Sequence, residues 1–416
     1  TFLLILVYRL GSFIVLPGID PSVIAEFSAS MSNRTDALSL LNMFSGGAFG
    51  NVSIFALGVM PYISASIVVQ LLGVFVGKFR KMQAEESGRR KLNQITRLLT
   101  IVILCIQGPA YISNIMHQYP NAFLVSSKLY ILAATVILLG GSMFVMWLGE
   151  RITERGIGNG ISLIIMIGII ARLPQAFMAE VLSKAGSTTG GILLLIVEFV
   201  ILFFVFVAAI ALVQAVRKVP VQYANRVIGN KQYGGVRQYI PLKVNASGVM
   251  PIIFAQAIML FPIIFSRFDA TRGFAAAMSN YTGLWYNLVF GFLVIVFTYF
   301  YTAVTFQPNM MAEDMKKNGG FIPGVKPGKK TMEYLDTIMT RIVLPGSIFL
   351  AIIAVLPAIA TLCGVNNQFA SFYGGTSLLI LVGVVLDTLQ QVESHLLMRH
   401  YDGLMKTGRL TGRSGM

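Results

Sequence analysis

Groups able to carry covalent or metal chemistry are few and scattered in this 416-residue chain. The histidines are His117, His395 and His400, and the cysteines are Cys105 and Cys363. His395 and His400 stand five apart, a poor spacing for two ligands, because helix-face neighbours recur at three and four. Both cysteines lie in apolar runs, which fits neither a thiolate cage nor a redox framework. No H-E-x-x-H, G-x-S-x-G or P-loop string occurs. GIGNGIS (Gly156 to Ser162) is Gly-rich, but it follows a charged loop where a dinucleotide fingerprint needs a strand. No metal, cofactor or catalytic residue is expected, and the chain does not read as an enzyme. Ionisable residues inside apolar runs are also scarce: Arg9, Glu198 and Asp387. Ion-coupled transporters usually line their paths with such charges. Anything this chain moves must pass mainly uncharged groups and draw its energy from elsewhere.

The elements that would position such a path are apolar helices. Apolar residues make up 56% of the chain and charged ones 12%, against about 25% charged in soluble domains. A helix crosses the hydrocarbon core in about 20 apolar residues. Ten runs meet or approach that length, near 1–16, 54–76, 97–116, 128–148, 157–173, 191–214, 248–266, 284–305, 342–362 and 373–392. The first is read as a span whose cytoplasmic lead-in precedes Thr1. A cleaved signal peptide is the rival, and nine further spans disfavour it. Of 32 Lys and Arg, 25 fall in the loops after even-numbered spans and in the C-terminal tail, and 6 after odd-numbered spans. The positive-inside rule then puts both termini in the cytoplasm, as an even span count requires.

Three further segments carry information. Residues 38–53, LSLLNMFSGGAFGNVS, are too short and Gly-rich to cross. They read as a re-entrant half-helix, or equally as an ordinary extracytoplasmic loop. Residues 217–246 hold Arg217, Lys218, Arg226, Lys231, Arg237 and Lys243, with no acid. QYGGVRQYIPL predicts a projecting hairpin that turns at Gly234-Gly235. Residues 307–341 form a second long basic loop with Lys316, Lys317, Lys326, Lys329 and Lys330. Topology alone accounts for the sign of these charges. Loops of this length point further, to an anionic partner such as ribosomal RNA or an acidic protein surface.

Several long runs resemble SecY, the central-subunit family of bacterial protein-translocation channels. They are LPGIDP (16–21), NMFSGGAFGNVSIFALGVMPYISASIVVQLL (42–72), ESGRRKLNQITR (86–97), MWLGERITERGIGNGIS (146–162), VPVQYANR (219–226), YIPLKVNASGVMPIIFA (239–255), FIPGVKPGKKT (321–331) and YGGTSLLILV (373–382). The matches run through the chain in order.

The resemblance implies an all-α polytopic membrane protein, ten transmembrane helices in two pseudo-symmetric inverted five-helix halves. The halves would be 1–184 and 185–397, with cytoplasmic loops 215–247 and 307–341 and a cytoplasmic tail, 398–416. It implies a channel that passes unfolded secretory polypeptides across the bacterial inner membrane and releases membrane segments sideways through a lateral gate. Carried over by position, the aliphatic ring at the waist is Val59, Ile63, Ile161, Ile165, Ile253 and Ile380. Such a ring dewets and resists ions without a tight seal. Isoleucine is usual at the first position, and Val59 is one methylene smaller. The plug would be residues 42–53, including Asn42, Phe44, Gly46, Gly47 and Gly50. Gln70, Thr96 and Asn245 match a polar cluster at the gate between spans two and seven. The docking surface for the SecA ATPase and the ribosome would include Arg217, Lys218, Arg226, Lys231, Lys326, Lys329 and Lys330. Lys326 stands where Arg is usual, which keeps the charge but loses the bidentate fork. Asn230-Lys231 stands where a basic pair is sometimes found. Other implied partners are SecE and SecG, signal sequences, precursor proteins and lipid. Secondary transporters also use inverted repeats and are the competing class; the scarcity of buried charge favours the channel.

Overall fold

The computed structural model describes residues 1–24, 27, 28, 42, 45–77, 79, 82, 86–123, 128–185, 191–223, 226–228, 231–233, 237–259, 278 and 282–407. Its helices are α1 (Phe2–Gly11), α2 (Met60–Phe75), α3 (Glu86–Gln118), α4 (Lys128–Arg155), α5 (Gly160–Ala185), α6 (Gly191–Gln214), α7 (Met250–Met259), α8 (Leu284–Thr305), α9 (Pro308–Lys317), α10 (Lys329–Leu362), α11 (Asn367–Ala370) and α12 (Gly375–Thr407). Among the described residues, seven helices are long and apolar enough to cross a membrane: α3 to α6, α8, α10 and α12. Three shorter apolar helices, α1, α2 and α7, occupy the other expected spans. Several threonines inside these helices bond their own backbone, which satisfies the hydroxyl without water. Thr96 donates to the Leu92 carbonyl and Thr298 to that of Val294, each one turn back.

The helix pairings repeat. In the first half α1 packs on α4 and α5, α2 on α3, α3 on α4, and α4 on α5. In the second, α6 packs on α10 and α12, α7 on α8, α8 on α10, and α10 on α12. With α10 and α12 as fourth and fifth spans, these five pairings match those of the first half, and the second half adds one more, α7 on α12. Five spans per half also invert one half relative to the other. The halves meet where α5 packs on α6 and α12.

The two basic loops fold into one unit. Strands β1 (Val216–Tyr223) and β4 (Arg237–Lys243) form the expected hairpin, and β5 (Gly320–Phe321) from the second loop adds to β1. Between them, β2 (Arg226–Ile228) pairs with β3 (Lys231–Tyr233), Ile228 opposite Lys231. The expected turn at Gly234-Gly235 is not placed by this pairing. Gly234 and Gly235 lie outside the described residues. The rest of the second loop is mostly helix, as α9 and the first turns of α10.

Of the two readings of 38–53, half-helix or loop, the described part from 45 onward is not helical, and residues 38–41, 43 and 44 lie outside the described residues. Residues 45–59 run as successive turns. Gly46 has φ +65° and Gly47 φ +93°, left-handed values that interrupt a right-handed helix and suit glycine.

Candidate pore, plug and gate

Where the halves meet, one apolar cluster gathers Val59, Ile63, Ile161, Ile165 and Ile380 with Tyr8, Phe55, Leu148 and Ile169. Three elements position the five aliphatic groups. Val59 is the residue before the first turn of α2, with Pro61 inside that turn, and Ile63 follows one turn later. Ile161 and Ile165 stand four apart on one face of α5. Ile380 lies six residues into α12 and is 4% exposed. Val59 and Ile165 are equally buried, while Ile63 and Ile161 are half-buried. Ile253, on α7, is half-buried and is not among the described members of this cluster. Its neighbour Ile252 packs instead with α8 and α10, against Phe290 and Leu350.

The segment 45–50 is buried within the first half. Two helices hold it by its backbone, and a third packs against it. Tyr8 and Arg9 of α1 donate to the carbonyls of Ser45 (3.3 Å) and Gly46 (2.8 Å). Tyr111 of α3 donates to the carbonyl of Phe49 at 2.6 Å. The Asn42 side-chain oxygen accepts from the Gly50 amide at 2.8 Å. Gly46 lies against α5 so closely that a Cβ there would sit 2.7 Å from the Gly168 Cα. Phe44 lies outside the described residues.

The expected gate residues do not join. Gln70 of α2 donates to Ser66 one turn away, Thr96 of α3 bonds the Leu92 carbonyl, and Asn245, ahead of α7, accepts from Ser247. No hydrogen bond links the three, because each finds a partner within its own segment. Beside Thr96, Arg97 makes a bidentate pair with Glu150 of α4, at 3.0 and 2.7 Å.

On the sheet, Arg217 and Lys218 are exposed on β1, while Val219 and Val221 turn into an apolar core with Leu242, Met315, Leu335 and Met339. Arg226 lies in β2 and Lys231 in β3. Lys326 is exposed in a turn between Gly324 and Gly328, whose φ values are +83° and +99°. Its carbonyl accepts from Thr331 at 3.0 Å. Lys329 and Lys330 open α10, both exposed, and Lys330 pairs with Glu333 at 3.7 Å.

A family profile described as SecY matches residues 53–389. The protein translocase subunit SecY of Chlamydia trachomatis is 39% identical, covering 99% of this chain and 96% of that protein. The chain belongs to the SecY family. The fold agrees with solved channels. One, described as showing that the plug domain of SecY stabilises the closed state of the translocation channel and maintains a membrane seal, has a TM-score of 0.61 at 18% identity, covering 95% of this chain and 91% of that one. A second, Sec61 in a canine ribosome–channel complex, has a TM-score of 0.57 at 16% identity, with the same coverage. As a SecY-family chain it is a multi-pass membrane protein.

Sequence reasoning did not find Tyr8 and Tyr111. Neither belongs to a chemical motif, and a tyrosine in an apolar run gives no sign that its hydroxyl reaches a carbonyl 37 or 62 positions away. Arg9 was visible as a charge inside a span, and it is now matched to a carbonyl, a partner that no SecY motif names.

Proposed function

We propose that this chain is the passive protein-conducting channel of a bacterial inner-membrane translocase, with both termini cytoplasmic and no catalysis of its own. The supporting observation is the apolar cluster between the halves, which holds five of the six ring positions. Flexible aliphatic side chains close around a polypeptide of any sequence, and with none present they dewet and resist ions. Ile253 completes the ring when α7 moves against α2. The halves divide near 184–185, the segment 42–53 is the plug, and the polar groups Gln70, Thr96 and Asn245 face the opening gate. A signal helix inserting between α2 and α7 gains apolar burial there, so binding shifts the population towards the open state.

The sheet and its basic residues form the docking surface. Arg217, Lys218, Lys326 and Lys329 stand exposed on the paired loops, with Arg226 and Lys231 on the adjoining strands. They meet the SecA motor or the ribosome, which supply the energy, and SecE and SecG complete the complex. The test uses vesicles holding that complex. Uptake of an unfolded secretory precursor that requires SecA and ATP is the expected result. Gradient-driven flux of small solutes without precursor would contradict it. Ile380→Asn should also raise ion leak through idle channels in planar bilayers, and unchanged conductance would count against the ring.

A further inference from the structure

One buried charge cluster has no part in the ring, plug, gate or docking surface. Lys184, near the end of α5, places its ammonium 3.0 Å from Glu198 of α6 and 3.7 Å from Glu180 of its own helix. The same nitrogen donates to the Gly364 carbonyl, between α10 and α11, at 3.0 Å. Glu180 accepts from the Asn366 amide at 2.8 Å, and Tyr373, just ahead of α12, donates to the Glu198 carbonyl at 2.8 Å. Glu180 is 1% exposed and Glu198 4%.

Two carboxylates and an ammonium are costly to bury in a membrane protein, and apolar residues of similar volume would hold the helices at least as well. What ions add is a fixed arrangement. The contacts of Lys184 with Glu198 and Gly364, and of Glu180 with Asn366, all reach the second half. The other end of α5 is pinned as well: the Gly158 amide, just ahead of it, donates to Gln391 of α12 at 2.7 Å. The 26 residues of α5 separate the two attachments by about 40 Å of helical rise, a membrane thickness. None of these residues belongs to α2 or α7.

We propose that Lys184, Glu180 and Glu198 are positioning residues that clasp the two halves along α5, so that the halves part at α2 and α7 and nowhere else. The proposal rests on the channel reading above. With the clasp intact, opening is a rotation about α5. Without it, the half-rings at the waist lose their alignment when idle, and the closed state leaks.

The test compares the complete channel complex in planar bilayers and in export. Glu180→Gln/Lys184→Met/Glu198→Gln removes all three charges and keeps the volumes close. It should raise idle ion leak severalfold and relax the rejection of precursors with defective signals, with the melting temperature held within a few degrees. Lys184→Arg, which keeps the charge and the reach to Glu198, should restore wild-type leak and stringency; a purely structural role would not move stringency. Glu198→Gln alone keeps the Lys184 bond to Gly364 and should show a smaller rise, which covers failure of the triple variant to assemble. Wild-type leak and stringency in Glu198→Gln and the triple variant, beside a leaking Ile380→Asn control, would overturn the clasp alone. A tight Ile380→Asn control would overturn the channel reading beneath it.

Discussion

Residues 12–59 join the first two helices of one half, and residues 215–249 join the first two of the other. The helices around them pair alike, yet the two inserts differ. The first lies inside the bundle: 45–50 are buried among α1, α3 and α5 and held by hydrogen bonds to backbone carbonyls. The second leaves the bundle as a sheet whose charged residues face outward and whose valines pack on α9 and α10. Composition accounts for the difference. SGGAFGNVS, at 45–53, has no charge and small side chains, so its backbone can approach other helices. VRKVPVQY, at 216–223, puts charge on one side and buries Val219 and Val221 on the other, which requires water and a second apolar surface. The repeat sets the helix pairing; the inserts differ in whether they stay inside the bundle or leave it.

The comparison can be broken at four points. Leu335 is fully buried where α10 meets the sheet. Leu335→Ala should weaken that unit by about 2–5 kcal/mol, seen as faster proteolysis within 216–243 while idle ion leak stays at wild type. A rise in leak would mean that docking and sealing are not separate. Arg9→Met removes a charged donor to the Gly46 carbonyl, an interaction of about 1.5–3 kcal/mol. Since about 1.4 kcal/mol is a factor of ten, idle leak should rise by roughly an order of magnitude, with the sheet equally resistant to protease. Tyr111→Phe removes one neutral bond to Phe49 within the membrane, about 0.6–1.7 kcal/mol. Its leak should lie between those of wild type and Arg9→Met, and a leak above Arg9→Met would reassign the main hold on the plug. The smallest effect belongs to Lys330→Ala. Its pair with Glu333 is exposed at 3.7 Å and contributes about 0–1 kcal/mol, so thermal unfolding should not move. A loss of several degrees would show that the start of α10 carries more of the sheet than its core does.

Much of this fold is legible in the sequence. Each of the ten apolar runs meets an apolar helix among the described residues, seven of them long enough to cross, because hydropathy over 20 residues is a strong signal. The β1–β4 hairpin is legible from its flanking β-prone stretches. The pairing of β5 with β1 is not, since a two-residue strand 97 positions away leaves no pattern of its own. Between a half-helix and a loop at 38–53 the sequence does not decide, because its apolar content suits a helix while Gly46 and Gly47 adopt left-handed backbone. The gate triad followed from family motifs, and motifs do not say that Gln70, Thr96 and Asn245 each have a nearer partner. The clasp at Lys184 was half visible: Glu198 was marked as a charge within a span, but its partner lies across the 185–191 connection and could not be paired by spacing alone.

The central claim is that Ile63, Ile165 and Ile380 line the path of the moving chain. Single cysteines at these positions, in channels carrying a stalled precursor with one cysteine of its own, test it by disulfide formation. The expected result is cross-linking at all three and none from Phe203, which is 64% exposed on the outer face of α6. Cross-links from Phe203→Cys, with silence at the three isoleucine positions, would contradict it.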